Sequence, residues 1–338
     1  HFVEMIMQSV KLHDLVRIWV DDQPGDMQVT VRRDREGFLE ESPYGYREVF
    51  PEKYPGNCLE KYSEQCLDRY PEKCLERYSQ SVISNPADVP ASKTNTVWKA
   101  ATLFTEYLDK TGREGAIPPG RLNILLEKRI PVAAGLAGGS ADAAAVLYGL
   151  NHLFDAKVDS ATLSLLALQI GADVPFCLMG GTAFAEGIGE ILTPLPSLPR
   201  FAIVLVKPPV IISTAWAYGQ IDNAVIQDRP DTWLLLMAIK EGWFKELAGG
   251  MSNVFEYVSA KKYDIINQIK TGLLSYGASG SIMSGSGPTV FGIFFDEEKA
   301  WHAYNEFNKI DGFECFYTYT TEEGVMIRDG RKIVQSES

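Results

Sequence analysis

The residues in this sequence best suited to chemistry are three glycines and a serine. Gly135, Gly138, Gly139 and Ser140 fall within PVAAGLAGGSADAAAVLYGLN, residues 131–151. The run LNILLEKRIPV before them has the character of a strand, and from Ala141 to Asn151 the only helix breaker is Gly149. The order is therefore strand, glycine-rich loop, helix. A helix start leaves backbone N–H groups without intrahelical acceptors, and the helix dipole adds partial positive charge at the same end. A flexible loop at that point makes an anion site. Ser140 and Asp142 suit the helix start itself. Phosphate binding is the chemistry expected. The stretch contains neither GxxxxGK[ST] nor a suitably flanked GxGxxG, which excludes two familiar phosphate loops. A tight turn whose glycines serve only close packing is the alternative reading.

Two further features stand apart from this loop. Asp173 lies in GADVP, where Pro175 disfavours a helical conformation at Val174, so no helix is expected to run on past the carboxylate. Near the other end, SGSIMSGSGPTVFGIFF sets a second glycine loop between two strands.

The elements that must position these residues follow from pattern and size. At 338 residues the chain exceeds what one core usually serves, so two domains are expected. Its 46% hydrophobic and 22% charged residues are those of a globular protein. A net charge of −12 argues against a nucleic-acid partner, but not against ATP, which needs only a local N–H-lined pocket. No apolar run approaches the ~18 residues of a membrane span, so no membrane partner is expected. Five cysteines, an odd number, fit a reducing, cytoplasmic compartment better than a disulfide scaffold.

Alternation in VRIWV and MQVTV reads as two strands of a hairpin or meander. Residues 37–85 read as a solvent-exposed insertion built on a repeated octet: NCLEKYSE, QCLDRYPE, KCLERYSQ. Its Cys58, Cys66 and Cys74 recur every eight residues, a spacing that turns by about 80° per repeat on a helix and so gathers them on no single face. CxxC-like pairs of the zinc type are missing, and Pro43, Pro51, Pro55 and Pro71 oppose one long helix. A metal or partner site there is the alternative. Asn95, Val97, Ala100, Ala101, Phe104 and Leu108 form a helical stripe, and residues 160–170 form another apolar helix, ended by Gly171. Gly180 and Gly181 turn the chain into a strand at TAFAEG. The proline-rich LTPLPSLPR marks the boundary between domains at 1–195 and 199–338. Beyond it come a buried strand (FAIVLVK), a helix capped at Ser213 or Thr214, helices over 231–247 and 255–274, and a closing helix and strand. That mixture suits an α+β domain rather than a βαβ series.

In order along the chain, GLAGGSADAAAVL, GADVPF and SGSGPTVFG resemble the motifs of the GHMP kinase superfamily, whose members phosphorylate galactose, homoserine, mevalonate and phosphomevalonate. TNTVWKAATLF resembles that superfamily's Asn-Leu-x-x-Lys-Ala segment, and HFVEMIMQSVKLHDLV the segment after its first strand. The likeness covers essentially the whole chain outside the insertion. GGSADAA with GADVPF points to the branch acting on 4-diphosphocytidyl-2-C-methyl-D-erythritol; another GHMP small-molecule kinase, or a catalytically impaired nucleotide-binding homologue, is the alternative. The resemblance implies an α+β, two-domain fold, ribosomal-protein-S5-domain-2-like at the N-terminus and ferredoxin-like at the C-terminus. It implies transfer of the γ-phosphoryl of ATP, with Mg²⁺, to the 2-hydroxyl of that small molecule in non-mevalonate isoprenoid precursor biosynthesis.

By the same resemblance ATP lies along Pro131, Ala133, Ala134, Gly135, Leu136, Ala137, Gly138, Gly139, Ser140 and Ala141. N–H groups of Leu136 to Ser140 hold the β-phosphate, and the Ser140 hydroxyl is available to phosphate or Mg²⁺. Asn95 and Lys99 are candidates to border the nucleotide; a Lys99 merely solvated on a helix face is the alternative. Asp173 is the base that accepts the substrate hydroxyl proton. His1 matches a histidine that recognises the cytosine, and Ser213 and Thr214 a Ser/Thr near the substrate. Gly285, Ser286 and Gly287 approach the reacting centre across an interdomain cleft. The family's first strand, Ala-Lys-Ile-Asn-Leu with its phosphate-side lysine, has no counterpart here. The chain as given is therefore expected to be poorly soluble or nearly inactive unless Lys99 or Lys207 replaces that lysine.

Overall fold

The computed structural model describes residues 2–25, 27–33, 89–224, 226 and 229–327. The octet repeat with Cys58, Cys66 and Cys74, and also His1, lie outside the described residues.

The first half of the chain opens with β1 (Met5–Gln8), β2 (Leu15–Asp21) and β3 (Met27–Arg33), followed by α1 (Thr96–Lys110) and β4 (Arg121–Lys128). β2 and β3 are strands as their alternation predicts, but they do not form a hairpin. β4 lies between them, antiparallel to β2 and parallel to β3. The cause is visible in β4 itself, where Leu122, Asn123, Ile124, Leu126 and Lys128 are all buried. A strand so thoroughly covered takes the middle of a sheet, whereas the half-wet β2 and β3 suit its edges. β1, which no alternation signalled, pairs antiparallel with β5 (Thr182–Glu186), and β5 in turn with β6 (Ile191–Pro194).

Helices α2 (Gly138–Leu153), α3 (Ser160–Ile170) and α4 (Val174–Met179) complete this half. The expected stripe is the core face of α1 from Val97 onward: Val97, Ala100, Ala101, Phe104 and Leu108 are fully buried in one cluster with α2 residues such as Ala144 and Leu147, whereas Asn95 stands before the helix as its N-cap. Each large side chain so buried contributes about 1.5–3 kcal/mol.

The second half is built on β7 (Ala202–Lys207), β8 (Gly280–Met283), β9 (Val290–Phe294) and β10 (Glu314–Tyr319), in the antiparallel order β10-β7-β9-β8. With the connecting helices this is the ferredoxin-like arrangement. Every residue of β7 is buried, because both faces of the sheet are covered. One face meets α9 (Ile265–Ser275) and α10 (Glu297–Asn308); the other meets Leu12 and Ile130 from the first half. Between β7 and β8 also lie α5 (Thr214–Ile221), α6 (Thr232–Glu241), α7 (Phe244–Gly250) and α8 (Glu256–Lys262). The helices expected over 231–247 and 255–274 are thus each two helices, broken at Gly242 and at Tyr263. Beyond β10 the chain returns to the first half: the Thr321 N–H donates to Ser9 O at 2.9 Å, and Val325 packs on the α1–α2 core.

Candidate active site

β4 delivers the chain into the glycine loop. α2 starts at Gly138, earlier than the run from Ala141 suggested, and its N-cap is Ala137 in the left-handed region at φ 53° with no side-chain cap. Ser140 and Ala141 N–H groups both turn back to Ala137 O, at 3.0 and 2.9 Å. The N–H groups of Leu136, Ala137, Gly138 and Gly139 have no acceptor among the described residues. They form the row of open donors that an anion would take. The early start also moves Asp142. Instead of serving the helix start, it points inward and accepts from Lys128 Nζ at 2.7 Å.

The second glycine loop rests directly on the first. Gly135 has φ 71°, and a Cβ there would stand 2.5 Å from Ser284 O and 2.9 Å from Gly287 O, so only glycine permits this approach. The Ser284 hydroxyl donates to Gly135 O at 2.8 Å, and the Thr289 N–H to Ala134 O at 3.3 Å. Asn253 fixes the second loop by donating its carboxamide to Met283 O and Gly285 O, each at 2.8 Å. Ser213 caps α5 by accepting from the Trp216 N–H at 3.3 Å, while the Thr214 and Ser286 hydroxyls meet at 3.0 Å. Gly285, Ser286, Gly287 and Thr214 are therefore brought to the loop that holds Gly135. The two halves touch here rather than facing each other across open space.

Asp173 precedes α4. The break before it is made by Gly171, extended at φ 179°, and not by Pro175. Val174 is helical after all: Pro175 sits in the first turn of α4, where a missing N–H costs no intrahelical bond. The Asp173 carboxylate makes no capping bond. Burial pushes it above the ordinary carboxylate range. Its Oδ1 lies 3.9 Å from where a Cβ on Gly189 would stand. Burial, and after it the charge of Asp173, raise Tyr218 on α5. Tyr218 also meets Phe255 edge-on at 4.9 Å. The sequence reading missed Tyr218; the available signal was its position one helical turn after Thr214.

The remaining candidates separate. Asn95 is buried as the N-cap of α1, accepting from Val97 N–H at 2.9 Å and donating to Pro90 O at 2.7 Å. Next to it, the Thr96 hydroxyl donates to Gly139 O at 2.8 Å, so α1 does border the loop. Lys99 is exposed one turn further along. Lys207, on the second half, is buried and bonded to Glu314 Oε1 at 2.6 Å. Lys128 was also missed. It is buried between Asp142 and Asp14, whose Oδ1 accepts the N–H groups of Arg129 at 2.5 Å and Ile130 at 2.8 Å. Burial lowers this ammonium, but the two carboxylates together outweigh it and the net direction is up.

Comparison with known proteins places the geometry in a family. The GHMP kinase N-terminal domain matches residues 95–181, and the GHMP kinase C-terminal domain matches residues 235–310. A protein of Acetivibrio thermocellus named 4-diphosphocytidyl-2-C-methyl-D-erythritol kinase is 52% identical over 233 residues, which are 69% of this chain and 79% of that protein. One of the same name from Alkaliphilus oremlandii is 49% identical over 217 residues, 64% of this chain and 72% of that protein. A crystal structure of 4-(cytidine 5'-diphospho)-2C-methyl-D-erythritol kinase superposes with a TM-score of 0.63 at 25% identity, over 95% of this chain and 91% of the other. A homoserine kinase from Cytophaga hutchinsonii shares the fold, with a TM-score of 0.64 at 18% identity, over 94% and 90%.

Proposed function

This chain belongs to the GHMP kinases, among the 4-diphosphocytidyl-2-C-methyl-D-erythritol kinases, and from that membership we propose that it transfers the γ-phosphoryl of ATP to the 2-hydroxyl of that alcohol. The observation that carries the reading is the contact of the two glycine loops, with the open N–H groups of residues 136–139 beside it. Those N–H groups hold the donor phosphates, and Ser140 adds its hydroxyl from the first turn of α2. The Ser140 hydroxyl would also be available to Mg²⁺ bound with the nucleotide, which would offset charge on the donor phosphates. Asp173 accepts the proton as the acceptor oxygen attacks phosphorus. Gly285, Ser286 and Thr214 close the acceptor side. Residues 1–195 supply the donor loop and Asp173; residues 199–338 supply the second loop. Cys177 and Cys315 are free thiols, which suits a reducing, cytoplasmic setting.

An ADP-release assay offering the cytidyl alcohol, homoserine and mevalonate in turn tests the assignment. Whatever ADP release occurs is expected with the cytidyl alcohol alone. Turnover of homoserine or mevalonate in its place would assign the chain to another branch.

A further inference from the structure

Behind the phosphate loop lies a buried charge cluster with no part in the reaction just described. Lys128 closes β4, and its Nζ bonds Asp142 Oδ2 of α2 at 2.7 Å and also Asp14 Oδ2 from the segment before β2. Asp14 Oδ1 in turn holds the N–H groups of Arg129 and Ile130, the first residues after β4. One ammonium thus joins both ends of the 129–137 connection at its base. A Cβ on Gly138 would stand 3.4 Å from that Nζ and 2.9 Å from Ile130 Cγ2. The ammonium therefore lies directly under the backbone where α2 begins, and it is the charged group nearest that point.

Stability alone accounts poorly for this arrangement. Buried ion pairs roughly break even against apolar replacements of the same shape. Here the second oxygen of Asp142, Oδ1, is buried with no hydrogen-bond partner among the described residues, an added cost. What the cluster does secure is geometry, because donors aimed at a phosphate work only over a few tenths of an ångström.

We propose that Lys128 is a positioning residue of the donor-phosphate site: clamped by Asp14 and Asp142, it fixes the start of α2 against β4 so that the N–H groups of residues 136–139 converge on one anion. The proposal rests on the assignment of this loop to the phosphoryl donor. It gives the glycine at 138 a reason, since any side chain there would push Ile130 and the ammonium away from the loop. It also separates the two substrates, because the acceptor side is held by Asn253 and the second loop, which Lys128 does not touch.

The test removes the ion pair as a unit. Lys128→Met with Asp142→Leu removes the Lys128–Asp142 pair; Asp14 loses its ammonium partner but keeps its two backbone donors. In the full chain, affinity is measured for a non-hydrolysable ATP analogue and for inorganic tripolyphosphate, alongside acceptor KM and the melting temperature. Both probes are expected to bind about tenfold more weakly or worse, the scale of a small misplacement of binding groups, with acceptor KM little changed. A purely structural role would lower the melting temperature and leave probe affinity intact, which overturns the proposal. Should the double variant fail to fold, Asp142→Asn keeps the shape and an oxygen for Lys128. It is expected to weaken both probes in the same sense, and unchanged affinity in it is equally fatal. Wild-type protein that binds neither probe would remove the donor assignment and this proposal together. Wild-type binding with indifferent variants removes only the role of Lys128.

Discussion

At Asp173, the base of the proposed reaction, burial works against the charge that a base needs. The folded carboxyl titrates above its ordinary value because it is taken out of water, and a base must be ionised to act. The acid limb of kcat/KM should therefore fall above the usual aspartate value of about 3.9. Asp173→Asn should cut kcat by about 10²–10⁴, the range for loss of a general base, with affinity for the ATP analogue little changed. Linkage gives a second outcome of opposite sign. A group whose folded pKa is raised stabilises the protein below its unfolded pKa, and that contribution is lost as pH rises through the folded value. At neutral pH the ionised Asp173 is then a cost to folding, and Asp173→Asn should melt higher than wild type there while the two converge in acid. Near-wild-type turnover, or a variant that melts lower at neutral pH, would remove Asp173 from this role.

Among the elements, the second glycine loop offers a substitution that changes chemistry without changing size. Asn253 donates to Met283 O and Gly285 O and accepts from Phe255 N–H at 2.9 Å. Asn253→Asp turns the donor into an acceptor facing two carbonyls, which should cost about 1–3 kcal/mol for the unsatisfied groups. Acceptor KM should rise more than ATP KM, and urea unfolding with steady-state kinetics measures both. Gly135→Ala carries a different penalty. Its φ of 71° and the approach to Ser284 O would force the loops apart, lowering stability by about 1–3 kcal/mol of backbone strain and weakening both substrates. Soluble Gly135→Ala protein with unaltered stability and KM values would mean that the loops do not need this contact.

What could be read at this scale was local. The α1 stripe, the Ser213 cap and the strand-loop-helix order around Gly138 are set within a few residues of one another. The order β2-β4-β3 depends instead on pairings such as Ile18 with Ile124, far apart in the chain, and alternation alone cannot choose partners. Lys128 had no local signal either. Glu127 and Arg129 flank it, so it looks like part of a solvated charge run, and only its turn toward the same side as Leu126 buries it. Asp142 looked like a helix-start residue because the helix was expected to begin three residues later than it does.

At the scale of the whole molecule, the two halves share a buried cluster across their boundary. Leu12 and Ile130 from the first half share a buried cluster with Ile203, Leu205 and Ile293 of the second, and Leu136 of the phosphate loop packs on the same cluster. Glu314 of β10 ties Lys207 to Arg33 of β3, and Thr320 forms a bridge with Val10. The first glycine loop is therefore seated on the sheet of the other half. Ile203→Ala removes a buried side chain from the shared cluster and should cost about 2–5 kcal/mol, the range for such a truncation. If the halves unfold together, calorimetry shows one transition that moves down as a unit, and nucleotide affinity falls although Ile203 touches no substrate. Two resolved transitions, with only one displaced by Ile203→Ala, would show instead that the halves fold independently and that the loop does not rely on the sheet beneath it.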